Sequence, residues 1–291
     1  MSTHGATNDF VPRLSAGGGR ISPLQNKIKK RKQRQMKNWL NYFKSNRIQR
    51  QDIPSDHEIN IEPNLRGPLI RSLQRFQVGE SGEGHHLRRQ AAKSGDADYQ
   101  AAIDLFIKEE QEHARLMACV LRKLNAPLIE HHWSDACFIL LRRLFGLHHE
   151  LLVLLMPEMI AKRYFRALHD GFTDPMLRAI CGQILHDEEG HLAFHVDYLQ
   201  GAFASRSLLA RIVLRACWRA LFRAACLVVI MDHRAVLRGA GVSGATFWWD
   251  CGLIFDEIAA AILSCAPTPA ITKIGQGLKV ELNLKESPLS A

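Results

Sequence analysis

The strongest constraint on this chain is an internal repeat at an offset of 78 residues. Phe106–Met117 reads FIKEEQEHARLM and Ile184–His195 reads ILHDEEGHLAFH. In each segment two apolar residues, a spacer and two acids precede a histidine. The second acid stands three residues before that histidine, Glu110 before His113 and Glu188 before His191. On an α-helix this spacing sets carboxylate and imidazole on one face, one turn apart, where together they can chelate a metal. Two such helices facing each other can hold two metals. The same shift carries Glu80 onto Glu158, so each half reads Glu, then a Glu 30 residues on, then a His 3 further. A lone Glu-x-x-His is cheap, since Glu83 and His86 also have that spacing. Six residues at repeated offsets are a far stronger signal.

The apolar periodicity is helical from Pro68 onward, with no convincing alternation of the strand type, and predicts an all-α fold. Helices are expected over about Pro68–Lys93, Ala97–Leu124, Leu147–His169 and Pro175–Gln200, punctuated by Ser94-Gly95, Asn125-Ala126-Pro127 and Asp174-Pro175. Two more are expected over Ser207–Leu237 and Trp248–Leu263. The four glutamates of the repeat lie within apolar stripes, Glu80 among Leu73, Phe76 and Leu87, and Glu158 among Leu151, Leu155 and Phe165. A buried carboxylate is costly unless paired or metal-bound, and no lysine or arginine stripe on these faces could neutralise all four. Two divalent cations would balance four carboxylates, with His113 and His191 as neutral ligands.

One glutamate on each of two helices and a Glu-x-x-His on each of two others resembles the ferritin-like di-iron carboxylate proteins. That class includes rubrerythrins, bacterioferritins, acyl-carrier-protein desaturases, the ribonucleotide reductase small subunit, tRNA hydroxylases and arylamine N-oxygenases. The resemblance covers about residues 68–200. It implies a ferritin-like four-helix bundle with additional C-terminal helices. It also implies Glu80 and Glu158 as terminal carboxylates, Glu110 and Glu188 as bridging ones, and His113 and His191 as one nitrogen ligand per metal. Glu109 and Asp187, directly before the bridging residues, stand where many of these families keep an orienting carboxylate; plain exposure is the alternative. Oxygen and imidazole donors suit iron or manganese, so the expected cofactors are two iron ions, with a manganese–iron pair as the alternative. The implied activity is O₂ activation for oxidation of a small-molecule substrate, with electrons from an external reductase or ferredoxin. A rubrerythrin-like peroxidase or ferroxidase is the second reading. A non-catalytic metal-binding or nucleic-acid-associated helical protein is the third.

Departures from the repeat are where reaction-specific chemistry is expected. His195, one turn beyond His191, pairs with Met117 in the repeat and is either a third histidine ligand or, more simply, a core histidine. Glu83, one turn beyond Glu80, is a candidate extra carboxylate or proton donor, and otherwise a partly exposed helix residue. Pro157, directly before Glu158, removes a backbone hydrogen bond and should kink its helix. Arg206, Arg211, Arg215, Arg219 and Arg223 form a stripe that reads as the solvated face of a covering helix, or as a surface for a membrane or anionic partner.

The net charge of +9 is concentrated at one end: residues 1–50 carry twelve Lys/Arg against Asp9 alone, a net of +11, leaving −2 for the rest. The basic balance therefore describes an arm, with nucleic acid or an anionic membrane surface as candidate partners of residues 27–37. The expected organisation is a disordered arm over residues 1–35, a short amphipathic helix and linker over 36–67, the bundle over 68–200, covering helices over 201–265 and an irregular tail over 266–291. A homodimer is one candidate assembly. Seven cysteines without a C-x-x-C fit buried thiols in a reduced cytoplasmic setting.

Overall fold

A computed structural model describes residues 23–54, 56–133, 138, 140, 141 and 146–263. It is all-helical, with no strand among the described residues. In chain order the helices are α1 (Pro23–Ile48), α2 (Pro63–Glu80), α3 (His85–Ala92), α4 (Ala97–Lys123), α5 (Leu147–Gly171), α6 (Pro175–Leu199), α7 (Leu208–Gly239) and α8 (Gly244–Leu263).

Local chemistry sets several of these boundaries. Asp96 accepts a hydrogen bond from the Tyr99 amide (3.1 Å) to start α4, and Asn125, in the left-handed region at φ 51°, follows its end. Asp174 accepts from the Leu177 amide (2.9 Å) ahead of Pro175, which suits the first helical position. The Ser207 hydroxyl caps α7 through the Ala210 amide (3.2 Å).

Helices α2, α4, α5 and α6 make the core. α2 packs on α4, α5 on α6, and α4 on α6. Phe76 of α2 stacks on Tyr164 of α5 at 4.2 Å between ring centroids. α1 lies along α4 and reaches α6, where Phe43 meets Phe194 edge-on and the Trp39 indole donates to Asp197 (2.9 Å). Its approach is so close that a Cβ on Gly190 of α6 would overlap the Tyr42 ring. α7 covers α2 and α5 on the other side, and α8 packs on α7, α5 and α6.

Two expectations change. The segment from Pro23 to residue 35, expected to be part of a disordered arm, belongs to α1; residues 1–22 and the tail from 264 lie outside the described residues. The apolar stripe Met36, Trp39, Leu40 and Phe43 is buried, so tertiary packing on α4 and α6 holds a helix that a basic composition disguised. The helix expected over Pro68–Lys93 is two, α2 and α3, separated by Ser81–Gly84. Gly84 is the reason: it adopts φ 67°, and any Cβ there would collide with the Ile107 side chain. At Pro157 the helix continues, and α5 runs through to Gly171.

Candidate metal centre

The duplicated motif converges at the centre of the core. Glu80 ends α2, Glu110 and His113 stand on α4, Glu158 is on α5, and Glu188 and His191 are on α6. Ligand atoms of Glu110, Glu158, Glu188 and His191 lie within 4.8 Å of one another, and so do those of Glu80, Glu110 and His113. Glu110 belongs to both groups. The His191 Nδ1 lies 2.9 Å from Glu110 Oε1, 3.3 Å from Glu158 Oε2 and 3.9 Å from Glu188 Oε2. The His113 Nδ1 lies 3.6 Å from Glu188 Oε1 and 3.8 Å from Glu110 Oε1. Glu110 and Glu188 thus stand between the two imidazoles, with Glu80 grouped on the His113 side and Glu158 on the His191 side.

The far nitrogen of each ring is held by the opposite half of the repeat. His113 Nε2 contacts Asp187 Oδ2 and His191 Nε2 contacts Glu109 Oε2, both at 3.0 Å. An imidazole that donates Nε2–H to a carboxylate can offer the lone pair of its Nδ1, so both rings are placed to aim an acceptor nitrogen at a cation in the cluster. Asn46 of α1 ties the two holders together, donating to Glu109 Oε1 and Asp187 Oδ1 at 2.8 Å each. Arg50 adds an ion pair to Asp187 (2.6 Å), and Gln183 donates to it at 3.0 Å. The sequence reading anticipated Glu109 and Asp187 as orienting groups but missed Asn46, Arg50 and Gln183. One signal was available: Asn46 stands three residues after Phe43 and seven after Trp39, a polar residue on the buried stripe of α1.

The electrostatics demand positive charge. Burial and the neighbouring Glu110 carboxylate push Glu80 well above the usual carboxylate range; burial with Glu158 and Glu110 does the same to Glu188. Burial would also raise Glu158, but its contacts with His191 override this and hold it at about 2. Burial opposes a charge on His191, yet Glu109, Glu110 and Glu158 raise it well above its ordinary value. Five buried ligand atoms, Glu110 Oε1, His113 Nδ1, Glu158 Oε2, Glu188 Oε2 and His191 Nδ1, have no hydrogen-bond partner. At about 1–3 kcal/mol each, leaving them unsatisfied would cost on the order of 10 kcal/mol, as much as a typical domain's whole stability. A buried Glu/His cluster of this kind could bind metal, and its donors fit two divalent cations.

The two proposed catalytic residues stay outside both groups. Glu83 is not on the helix expected of it, though it lines a cleft with Glu80 and Glu110. Because α2 ends at Glu80, Glu83 falls in the turn, with its side chain 75 % exposed and paired to His85 at 2.5 Å. His195 is fully buried against the rings of Phe106 and Phe194, and neither ring nitrogen has a partner. Burial lowers its pKa to about 4, so it is neutral at pH 7.

Among the described residues, two clefts reach the cluster. One, of about 300 Å³, has Glu80, Glu110 and Glu158 in its lining and otherwise mainly apolar walls, among them Phe76, Leu154, Pro157, Leu221 and Val228. The other, of about 360 Å³, is more polar, and the turn between α2 and α3 forms one side. Its lining includes Glu80, Glu83, Glu110, Glu130 and a part-buried pair, His86 Nδ1 with Glu150 Oε1 at 2.7 Å. His86, half of the coincidental Glu83-x-x-His86 pair, thus serves Glu150 rather than a metal.

Comparison with known protein families, with curated proteins and with solved structures found no match. The cluster itself therefore carries the functional argument.

Proposed function

We propose that this chain is a ferritin-like di-iron oxidoreductase that activates O₂ to oxidise an organic substrate. The observation that carries this reading is the apolar cleft running up to three of the four glutamates. Iron storage alone has no use for such walls. Glu80 and His113 would hold one iron, Glu158 and His191 the other, and Glu110 and Glu188 would bridge them. The bound pair would supply reductive activation of O₂, one oxygen atom entering the substrate and the other leaving as water, with two electrons and two protons from outside.

The chain's own residues prepare that chemistry. Asp187 and Glu109 hold the Nε2 protons of His113 and His191, which fixes each ring and its tautomer. Phe76, Leu154 and Val228 exclude water from the substrate side. Glu150 and His86 lie in the polar cleft beside Glu80 and Glu110, where they can hold a proton and pass it toward the cluster. An external reductase or ferredoxin would bring electrons.

The polar cleft also favours a second reading, a ferroxidase or peroxidase, since Glu130 and Glu150 could guide Fe(II) inward. Anaerobic loading with Fe(II) followed by ¹⁸O₂ separates the two. The oxygenase reading expects uptake to stop at two irons per chain and ¹⁸O to appear in an apolar probe such as an alkylbenzene. Repeated Fe(II) oxidation with iron accumulating beyond two per chain, and no labelled product, would establish the ferroxidase instead.

A further inference from the structure

The outer face of α7 is built the wrong way round for a helix meeting water. Leu208, Leu209, Ile212, Val213, Leu227 and Met231 all project into solvent, Leu209 being 70 % and Met231 61 % exposed. Ala216, Cys217, Ala220, Leu221 and Ala224 fill the same face between them. The stripe carries no charged residue from Leu208 to Met231 and is about 35 Å long at 1.5 Å per residue. Exposed apolar patches on this scale mark interaction surfaces.

The arginines flank the stripe. Arg215 and Arg219 share Asp256 of α8, Arg211 donates to the Leu263 carbonyl (3.0 Å), and Arg223 covers the Trp248 ring at 4.3 Å. Arg206, Arg234 and Arg238 are exposed. α7 holds six arginines against one acid, Asp232, which lies beside Arg75. α8 adds exposed Trp249 and Leu253.

The stripe is also a wall of the apolar cleft. Leu221 and Ala224 belong to the exposed face and to the cleft that reaches Glu80, Glu110 and Glu158. An apolar surface, an apolar passage and the candidate metal centre are therefore continuous.

We infer that the outer face of α7 docks on the surface of an anionic phospholipid bilayer, and that the cleft behind it takes an apolar substrate directly from that bilayer. An apolar stripe edged along one side by Arg211, Arg215, Arg219 and Arg223, with exposed Arg206, Arg234 and Arg238 toward its ends, suits this site: the aliphatic side chains enter the acyl boundary while arginines meet the phosphates. A two-fold pairing of α7 faces in a second copy would instead set an arginine-rich surface against itself. No described helix is long and apolar enough to cross a membrane, so the contact is peripheral. The basic α1 packs on the α4 and α6 side, away from α7, and plays no part in it. The substrate half of the inference rests on the di-iron reading; the docking half does not.

The test floats the full-length protein with vesicles of phosphatidylcholine alone or mixed with phosphatidylglycerol, some carrying brominated acyl chains. The mixed vesicles should bind it and quench tryptophan fluorescence. The double variant Leu209→Glu/Ile212→Glu, outside the cleft, should lose about tenfold or more in partitioning with an unchanged circular dichroism spectrum. Glu110→Ala, which removes the metal, should bind vesicles normally, so failure of the metal reading registers separately. In the second arm cis-parinaric acid, an apolar fluorescent chain, should bind the wild type and not Ala224→Trp, while that variant still binds vesicles. The docking inference is overturned if the protein ignores both vesicle types or if binding survives the double variant. It is equally overturned if those substitutions dissociate a stable dimer that never bound vesicles. Unchanged parinaric acid binding by Ala224→Trp would overturn the substrate half.

Discussion

Asn46 is a single amide that holds both halves of the site in register. It donates to Glu109 and to Asp187, and each of these carboxylates fixes the histidine of the opposite half. Loss of such an outer contact typically costs 10–100-fold in metal affinity. Asp187→Asn should therefore weaken iron binding by roughly that factor while leaving the helical circular dichroism intact, measured by competition with a chelator. Unaltered affinity would mean that His113 needs no outside orientation. His195 makes the opposite case. Its two nitrogens are buried without partners, a penalty of about 1–3 kcal/mol apiece. His195→Leu removes that penalty at similar volume, so the melting temperature should hold or rise and the iron content should stay the same. A drop in bound iron would make His195 a ligand. The sequence marked His195 as the residue that breaks the repeat, but spacing alone does not distinguish a nitrogen facing metal from one facing Phe106.

Among the elements, α1 and α7 account for most of what the sequence left unread. The sequence placed α4, α5 and α6 to within about two residues because their ends carry start and stop signals, Asp96 and Asp174 capping α4 and α6. α1 was obscured by nine Lys/Arg in its 26 residues, and its stripe of Met36, Trp39, Leu40 and Phe43 becomes decisive only once it meets α4 and α6. Phe43→Ala, at a fully buried position, should cost about 3–5 kcal/mol in chemical denaturation. It should also loosen iron binding, because it frees Asn46. α7 is apolar on every side but its arginine row, so periodicity could not say which side meets the core; that row, expected to face solvent, borders α8, with Arg215 and Arg219 still 45 % and 43 % exposed. Its anchor is His233, whose Nδ1 lies 2.6 Å from the Ser72 hydroxyl, which in turn contacts Tyr164. Burial, aided by Arg75, lowers the His233 pKa to about 3. The unfolded chain takes up that proton near pH 6.5 and the folded chain does not, so stability is full above that pH and falls as the pH drops toward 3. Between pH 6.5 and 5 this amounts to about 2 kcal/mol. The melting temperature of His233→Gln should consequently fall less between pH 7 and 5 than that of the wild type. Parallel pH profiles would remove His233 from the account.

At the scale of the whole molecule, one duplicated sequence unit becomes a buried cluster with two unlike approaches. The six ligand candidates were legible because duplication fixes their offsets, and helical geometry turns offsets into faces. Glu83 was misplaced because the sequence gives no direct sign that Gly84 needs φ 67° against Ile107. The clefts were not legible at all, since cavity walls and core are built of the same apolar residues. What unites the molecule is a largely buried cluster of four glutamates and two histidines whose ionised carboxylates two divalent cations would balance. The most direct test is the metal content of the purified, iron-replete protein, read together with its Mössbauer spectrum. Two irons per chain in a coupled pair are expected, with Glu110→Ala and Glu188→Ala each losing that pair. A protein that binds no metal, or binds it equally well after both substitutions, would contradict that expectation.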